Sequence, residues 1–341
     1  MFEHPHANPC GDRRAASPPA RAYGFGGRLS AAFPSQVIID ITERCNLACI
    51  HCPHEAFRRS PHYGGRSLDP ALNAKAIAEV ASAGRGLVRQ VRYTSEGEPL
   101  LDREVFALLA HAVERSGTFV SLTTNGTLLT ADCVARLIAT GVHIVDVSLD
   151  ALTPEAYARI RLRGDFDETR AGVLRLIAAA RAAGSATRVI VSYIEQPENA
   201  RETAAFEEFW RGAGAHDVAI RRLHSASGAI VAVADDLRRR GASKPRRPCV
   251  FPWERVVLKP RGVLSFCPAD WTHASTLADY RTTTIAELWR GREYDALRRA
   301  HLTNAFGDHP FCGQCPDWQE TRWPDEGPSY AALVERLRED A

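Results

Sequence analysis

The sequence lacks any apolar run that approaches the ~20 residues needed to cross a bilayer, so it does not indicate a membrane-spanning protein. Its formal net charge of +2 is too small to favour nucleic acid or a membrane surface as a partner. Residues 1–33 mix Pro, Gly, Arg and Ala without an apolar core segment. We therefore predict a flexible extension there rather than a signal peptide.

Cysteine is well represented, with nine cysteines among the 341 residues. Without an export signal, cysteines in this number favour metal binding over disulfides. A hydrophobic content of 45% and a charged content of 25% are typical of ordinary globular proteins. We therefore expect a cytoplasmic, metal-binding protein of one large or two modest domains, with no nucleic-acid or membrane partner.

The middle of the chain alternates strand-like and helix-like stretches. Between most of the strands lie Ala-, Leu- and Arg-rich segments of helical period, at 103–115, 131–140 and 167–183. The pairs Asp69-Pro70 and Thr153-Pro154 each place a capping side chain before a proline, which marks a helix start. Repetition at this spacing predicts parallel strands in an α/β fold, an open partial (β/α)6 TIM-like barrel. The six strand-like runs are 36–41, 87–94, 118–124, 143–149, 187–194 and 217–223.

The alternation stops near residue 225, and this change sets the predicted domain boundaries. We place the barrel at 34–225 and a basic linker, containing one short helix, at 226–248. A run of basic residues in such a linker usually forms a solvated surface, with phosphate or partner binding as the alternative. A small cysteine-bearing domain follows at 249–324, and an amphipathic C-terminal helix lies within 325–341.

Three cysteines, Cys45, Cys49 and Cys52, follow the first strand in the spacing C-x3-C-x2-C. Three thiolates on one loop can hold three irons of a four-iron cluster and leave the fourth iron open, whereas a zinc site requires four ligands. The carboxyl end of a barrel strand is also where such a site belongs. This pattern resembles that of the radical S-adenosylmethionine (radical SAM) enzymes. The resemblance implies a [4Fe–4S] cluster that binds S-adenosylmethionine and cleaves it reductively to a 5′-deoxyadenosyl radical.

Further segments at the strand ends resemble the S-adenosylmethionine contacts of this family. Gly97, Glu98 and Pro99 match the family's Gly-Gly-Glu motif, although Glu96 stands where the first glycine usually lies. The resemblance implies cofactor contacts from these three residues and from residues that follow the next two strands. These are Asn125, Ser148 and Asp150.

A second set of four cysteines has the spacing C-x17-C-x44-C-x2-C. Residues 253–267 alternate like a hairpin with its turn at 260–262. Four thiolates alone fit either a structural zinc ion or a complete cubane. The arrangement resembles the twitch module, a short form of the SPASM domain, found in aminoglycoside-pathway dehydrogenases. This resemblance implies a second [4Fe–4S] cluster that relays electrons, held by Cys249, Cys267, Cys312 and Cys315.

Substrate groups should come from the ends of the fifth and sixth strands. Tyr193 and Glu195 share one strand face by alternation, and Arg222 and His224 share another. Pointing inward, these four side chains would bind a polyhydroxylated, amino-bearing ring, and His224 or Glu195 could accept a hydroxyl proton. The alternative is a set of structural ion pairs at the barrel rim.

The resemblance implies oxidation of a secondary alcohol of an aminocyclitol or aminoglycoside to a ketone, with flavodoxin or ferredoxin as reductant. A sugar epimerase and a peptide-modifying enzyme of the SPASM kind are the alternatives. An epimerase needs a cysteine that donates hydrogen from the opposite face. The two unassigned cysteines, Cys10 and Cys133, lie in the predicted extension and in a helix. Neither is suited to donate hydrogen, so the dehydrogenase is favoured.

Overall fold

The protein is built on one nine-stranded sheet. The structure, a computed structural model, describes residues 23–94, 96–324, 326–327 and 329–339. The strands are β1 (Gln36–Ile39), β2 (Gln90–Tyr93), β3 (Phe119–Thr124), β4 (Ile144–Ser148), β5 (Arg188–Glu195), β6 (Asp217–Arg222), β7 (Arg255–Leu258), β8 (Val263–Ser265) and β9 (Thr276–Asp279).

Helices connect the barrel strands, and further helices belong to the C-terminal part of the chain. They are α1 (His54–Arg58), α2 (Pro70–Ala81), α3 (Val105–Arg115), α4 (Ala131–Ala139), α5 (Pro154–Ile160), α6 (Phe166–Ala182), α7 (Thr203–Gly212), α8 (Val231–Gly241), α9 (Phe251–Glu254), α10 (Ile285–Arg290), α11 (Arg292–Thr303), α12 (Pro310–Gln314) and α13 (Tyr330–Glu339). The predicted helix starts are confirmed, because Asp69 caps α2 and Thr153 caps α5 through their side chains. Within the described part of the chain, no helix is both long and apolar enough to span a membrane.

The first six strands form the predicted open barrel. They lie in the order β6-β5-β4-β3-β2-β1, and each pairs in parallel with its neighbour. β6 ends one edge of the sheet and does not pair with β1, so the barrel does not close. The carboxyl ends of all six strands therefore lie along one rim.

The C-terminal module continues the barrel sheet. β7 pairs in parallel with β1, and β8 and β9 follow in antiparallel pairing. The predicted hairpin joins β7 to β8, and its turn contains Gly262 at φ 81°, a conformation that favours glycine. Because β1 and β7 are parallel, their carboxyl ends bring Asp40 and Lys259 to the same rim. This pairing places the two cysteine sets on one side of the molecule.

The end of the predicted flexible extension is part of the folded structure. Phe33 is completely buried and Leu29 is 6% exposed, while the ring of Tyr23 lies 5.1 Å from that of Trp323. The prediction of an extension through residue 33 is therefore wrong from residue 23 onward, because these side chains complete apolar clusters. Residues 1–22, which include Cys10, lie outside the described residues.

The basic linker and the C-terminal helix also pack against the domains. The linker contains α8, as predicted, but Arg246 donates a hydrogen bond to the carbonyl of Gly313 at 2.9 Å. Arg247 contacts Glu326, so these two arginines do not form a solvated surface. The apolar face of α13 buries Leu333, Val334 and Leu337 against the side chains of Ile144, Ile190 and Ala219 on β4, β5 and β6.

Candidate active site

A cavity of about 820 Å³ lies along the carboxyl-end rim, between the barrel strands and the C-terminal module. All seven cysteines of the two predicted sets line it. The two sets are widely separated in the sequence, and the parallel pairing of β1 with β7 brings them to one cavity. A single site therefore joins both predicted cluster positions.

The first cysteine loop is held by backbone hydrogen bonds to the end of α5 and the residues that follow it. Ala48 N–H donates to the carbonyl of Leu162 at 3.1 Å, and Ile50 N–H donates to that of Ile160 at 3.0 Å. Burial raises the pKa of Cys45 to about 11 and that of Cys52 to about 12. Grouped thiols with such pKa values stay protonated unless cations compensate their charge, and iron would supply that compensation. The loop thus fits a cluster bound by three thiolates.

Gly97 brings the loop after β2 against the cysteine loop. The Glu98 N–H donates to the carbonyl of Arg44 at 2.7 Å. A Cβ atom at Gly97 would lie 2.2 Å from the carbonyl oxygen of Arg44 and 2.6 Å from that of Thr42. Only glycine permits this approach without a backbone shift. Gly97 also lines the cavity, as expected of the family motif.

We expect Gly97→Ala to lower the rate of S-adenosylmethionine cleavage at least about tenfold, because its Cβ would collide with the backbone that carries Cys45. Formation of 5′-deoxyadenosine by anaerobically reconstituted protein measures this rate. Gly212→Ala is the matched control, because a Cβ there meets no atom within 4 Å. Equal rates in the two variants would contradict the role assigned to the close approach.

Glu98 connects the second strand end to the third. Its buried carboxylate accepts hydrogen bonds from the N–H of Leu100 at 3.0 Å, the hydroxyl of Thr124 at 2.7 Å and the N–H of Asn125 at 2.7 Å. Burial raises its pKa. The Asn125 side chain in turn donates to Asn46 in the cysteine loop at 2.9 Å. Both residues line the cavity, so they can contact a cosubstrate while they hold three loops together.

Two residues predicted to contact the cosubstrate do not line the cavity. Pro99 is buried at the start of a short 3₁₀ helix, Pro99–Leu101. Asp150 is completely buried, and it accepts hydrogen bonds from Arg161 Nε at 2.9 Å and from the N–H of Ile194 at 2.7 Å. Asp150 therefore positions Arg161, which does line the cavity. For these two residues the prediction of direct contact is wrong, whereas Ser148 lines the cavity as predicted.

The second cysteine set lies on three separate elements. Cys249 precedes α9, Cys267 follows β8, and Cys312 and Cys315 lie in and after α12. Burial raises the pKa of Cys249 to about 12 and that of Cys315 to about 11. The four thiols line the same cavity and provide a complete ligand set for a cubane.

Tyr193 and Glu195 share one face of β5, as predicted, but this face points away from the cavity. The Tyr193 hydroxyl contacts the carbonyl of Asn199, and its ring lies 4.5 Å from that of Phe206 in α7. Glu195 accepts a hydrogen bond from the Thr203 hydroxyl at 2.8 Å on the exposed side. The prediction that these two side chains bind substrate is therefore wrong, because their face packs against the outer helix.

Arg222 and His224 do line the cavity. Among the residues that the structure describes, the Arg222 guanidinium has no hydrogen-bond or ion-pair partner. The Nδ1 atom of His224 accepts a hydrogen bond from the N–H of Ala226 at 3.0 Å, which assigns the ring proton to Nε2. Desolvation in the cavity lowers the pKa of His224. This tautomer presents a hydrogen-bond donor to a ligand, so His224 is poorly suited to be the base that was predicted.

Two polar residues of the cavity escaped the sequence analysis. Trp318 and Glu320 follow Cys315 and line the cavity. In the described part of the chain, neither the Trp318 indole nitrogen nor the Glu320 carboxylate has a hydrogen-bond partner. Their only signal in the sequence is their position directly after a cysteine pair. An unpaired carboxylate and an aromatic ring suit an amino-bearing ligand.

The family models match the two parts of the chain that form this site. The model described as "Radical SAM superfamily" matches residues 39–206, and the model described as "Iron-sulfur cluster-binding domain" (SPASM) matches residues 249–316. The chain therefore contains a radical SAM domain followed by a SPASM-type domain. These two domains imply S-adenosylmethionine, a radical SAM [4Fe–4S] cluster and an auxiliary cluster as cofactors.

Among curated relatives, the chain is 34% identical over 187 residues to GTP 3',8-cyclase of Ectopseudomonas mendocina. That alignment covers 54% of this chain and 51% of the cyclase, so the chain spans only about half of the length of this relative. The similarity shows a shared radical SAM core and leaves the activity of the whole protein open.

Solved structures cover more of the chain at low sequence identity. A structure of BtrN in complex with AdoMet and 2-DOIA has a TM-score of 0.57 and 16% identity, and covers 82% of this chain and 92% of BtrN. A structure of Streptococcus suis SuiB bound to precursor peptide SuiA has a TM-score of 0.60 and 16% identity. It covers 89% of this chain and 73% of SuiB. At these identities the comparisons show the fold alone.

Proposed function

We propose that this protein is a dehydrogenase that oxidises a secondary alcohol of an aminocyclitol or aminoglycoside to a ketone. The observation that carries the proposal is that both cysteine sets line one cavity. An electron released by a substrate in that cavity can therefore reach an auxiliary cluster without leaving the protein. The described residues provide no cavity-lining cysteine beyond these seven.

The proposed reaction removes two hydrogens from one carbinol group. When bound, the first cluster and S-adenosylmethionine supply the 5′-deoxyadenosyl radical, which takes a hydrogen atom from the carbinol carbon. The hydroxyl would then lose its proton to a base, and an auxiliary cluster held by Cys249, Cys267, Cys312 and Cys315 would accept the electron that leaves as the carbonyl forms. The products are the ketone, 5′-deoxyadenosine and methionine. Glu320 is our candidate base, because His224 presents a donor and Glu195 lies outside the cavity.

The side chains of the cavity support a polar, amino-bearing substrate. Arg222 and His224 can donate hydrogen bonds to hydroxyl oxygens, and the carboxylate of Glu320 makes the cavity more favourable for an amino-bearing ring. Trp318 adds an aromatic surface for a ring. The fold similarity to BtrN, whose structure was solved with 2-DOIA, also favours a small-molecule ligand. We further propose reduced flavodoxin or ferredoxin as the electron source for the first cluster.

An epimerase would need a thiol that returns a hydrogen atom to the opposite face of the substrate radical. Cys133 is buried in α4 and does not line the cavity. Cys10 lies outside the described residues. Among the described residues, no cysteine outside the two cluster sets could donate a hydrogen atom into the cavity. This favours the dehydrogenase over the epimerase.

We expect reconstituted protein to give a product two mass units lighter than its substrate. The assay combines reductant, S-adenosylmethionine and a panel of aminocyclitols and aminoglycosides in D2O, with mass spectrometry of substrates and 5′-deoxyadenosine. A variant with alanine at Cys45, Cys49 and Cys52 is the control and should form neither product. A product one unit heavier, with deuterium on carbon, would overturn the dehydrogenase in favour of the epimerase.

A further inference from the structure

Arg246 lies beside the second cysteine set, and no carboxylate of the described residues forms an ion pair with it. Its Nη atoms donate to the carbonyls of Gly313 at 2.9 Å and Cys312 at 2.5 Å, which anchors it to the loop of the last cysteine pair. Its Nε atom is buried and has no hydrogen-bond partner in the described part of the chain. The thiols of Cys249, Cys312 and Cys315 lie close enough to interact with it electrostatically. The guanidinium also lies over the ring of Phe306, 4.3 Å from its centroid, so the described residues give it aromatic and carbonyl contacts but no anionic partner.

His301 places a second unpaired donor at the same site. The residue is 5% exposed, and its Nδ1 atom accepts a hydrogen bond from the N–H of Cys249 at 3.4 Å. This bond assigns the ring proton to Nε2. That nitrogen is buried without a partner within the described residues. Both Arg246 and His301 line the cavity beside the cysteines.

Two buried N–H donors without acceptors are costly, because each has given up its hydrogen bonds to water. An anionic acceptor would suit both donors, since one of them is a guanidinium that has no carboxylate partner among the described residues. Four cysteine thiolates around an iron–sulfur core provide both a net negative charge and sulfur acceptors. The donors therefore fit the auxiliary cluster better than they fit a neutral ligand.

We propose that Arg246 and His301 donate hydrogen bonds to the auxiliary cluster and raise its reduction potential, so that it accepts an electron from a substrate radical. Cluster potentials depend on net charge, on hydrogen bonds to the sulfurs and on solvent exposure. Reduction adds one negative charge beside the guanidinium, so the reduced form gains more from Arg246 than the oxidised form does. The hydrogen bonds and the raised potential are independent of the proposed function. Only the substrate radical as the source of the electron rests on it.

The test is a redox titration of the auxiliary cluster, monitored by electron paramagnetic resonance, in full-length protein. Alanine at Cys45, Cys49 and Cys52 removes the first cluster, so that one signal remains. We expect Arg246→Met to lower the equilibrium constant for reduction at least about tenfold, which is about 59 mV for one electron. His301→Phe should lower it by a smaller factor. Neither substrate nor S-adenosylmethionine is present, so this result is independent of the proposed alcohol oxidation.

Arg247→Met is the matched control, because it removes the same charge from the neighbouring residue, which contacts Glu326 instead of the thiols. An equal change in this control would overturn the proposal by showing an effect of overall charge. Unchanged potentials in Arg246→Met and His301→Phe would overturn it as well. If Arg246→Met fails to retain its cluster by iron analysis, His301→Phe decides, since it leaves the Arg246 contacts to Cys312 and Gly313 intact.

Discussion

Replacing Cys312 and Cys315 together by alanine is expected to abolish substrate oxidation and to leave S-adenosylmethionine cleavage intact. Iron should fall from about eight to about four atoms per chain, because one of two four-iron clusters is lost. The Cys45 loop contacts the end of α5, the residues that follow it and the loop after β2, and none of these contains a ligand of the second cluster. The two cluster sites can therefore be separated by substitution, although they share one cavity.

Iron analysis, 5′-deoxyadenosine formation and ketone formation are measured on the same anaerobic sample. Cys133→Ala is the matched control, because Cys133 is a buried cysteine that does not line the cavity. The control should retain both clusters and both activities. Ketone formation at the wild-type rate in the double variant would refute the electron relay. Loss of S-adenosylmethionine cleavage would show instead that the second cluster stabilises the first site.

The order of the barrel strands could be predicted because each strand and helix carries its own local signal. Short β-branched runs alternate with helical segments, and Asp69-Pro70 and Thr153-Pro154 mark helix starts that the structure confirms. The continuation of the sheet through β7 could not be predicted. The pairing between β1 and β7 joins residues more than 200 positions apart. No local sequence pattern indicates with which edge strand of the barrel sheet a hairpin will pair.

The cysteines of the site could be predicted, whereas its inward-facing side chains could not. Alternation fixes which residues of β5 share a face, and Tyr193 and Glu195 do share one. It does not fix which face points inward, because both faces of a barrel strand are covered and read as apolar. In β5 the inward face carries Ser192 and Ile194. The aromatic ring of Tyr193 instead fills space against Phe206.

The glutamate that replaces the first motif glycine has a partner that sequence analysis did not detect. Glu96 is 3% exposed, and its Oε1 atom accepts a hydrogen bond from Lys259 Nζ at 2.9 Å. Lys259 also donates to Asp40 at 3.1 Å. Glu96 follows β2, Lys259 follows β7 and Asp40 follows β1. The departure from the family motif is thus compensated by a lysine from the C-terminal module.

Lys259→Met is expected to destabilise the protein by roughly 3–5 kcal/mol, the usual cost of removing one partner from a buried ion pair. Lys259 is completely buried between two carboxylates, and without its charge Asp40 and Glu96 would repel each other. Burial raises the pKa of Asp40 to about 7 even with the lysine present. The midpoint of thermal unfolding of the reconstituted protein should fall by about 10 °C or more.

The loss of stability in Lys259→Met should depend on pH, and the direction of this dependence identifies its cause. Without Lys259, at least one carboxyl group has a folded-state pKa well above its unfolded value near 4. The folded state then binds more protons than the unfolded state between about pH 4 and that raised pKa, so stability rises as pH falls through this window. The deficit of Lys259→Met should therefore be smaller at pH 5.5 than at pH 8, because protonation removes more of the uncompensated carboxylate charge at the lower pH.

Two further variants separate charge repulsion from lost packing. Lys244→Met is the matched control, because Lys244 is exposed, and its thermal midpoint should stay near that of the wild type. Adding Asp40→Asn and Glu96→Gln to Lys259→Met removes the unpaired charges and should restore much of the lost stability. A deficit that is the same at both pH values and persists in the triple variant would show that Lys259 contributes through the packing of its carbon chain. The ion pair between the barrel and the C-terminal module would then not be what holds Glu96 in place.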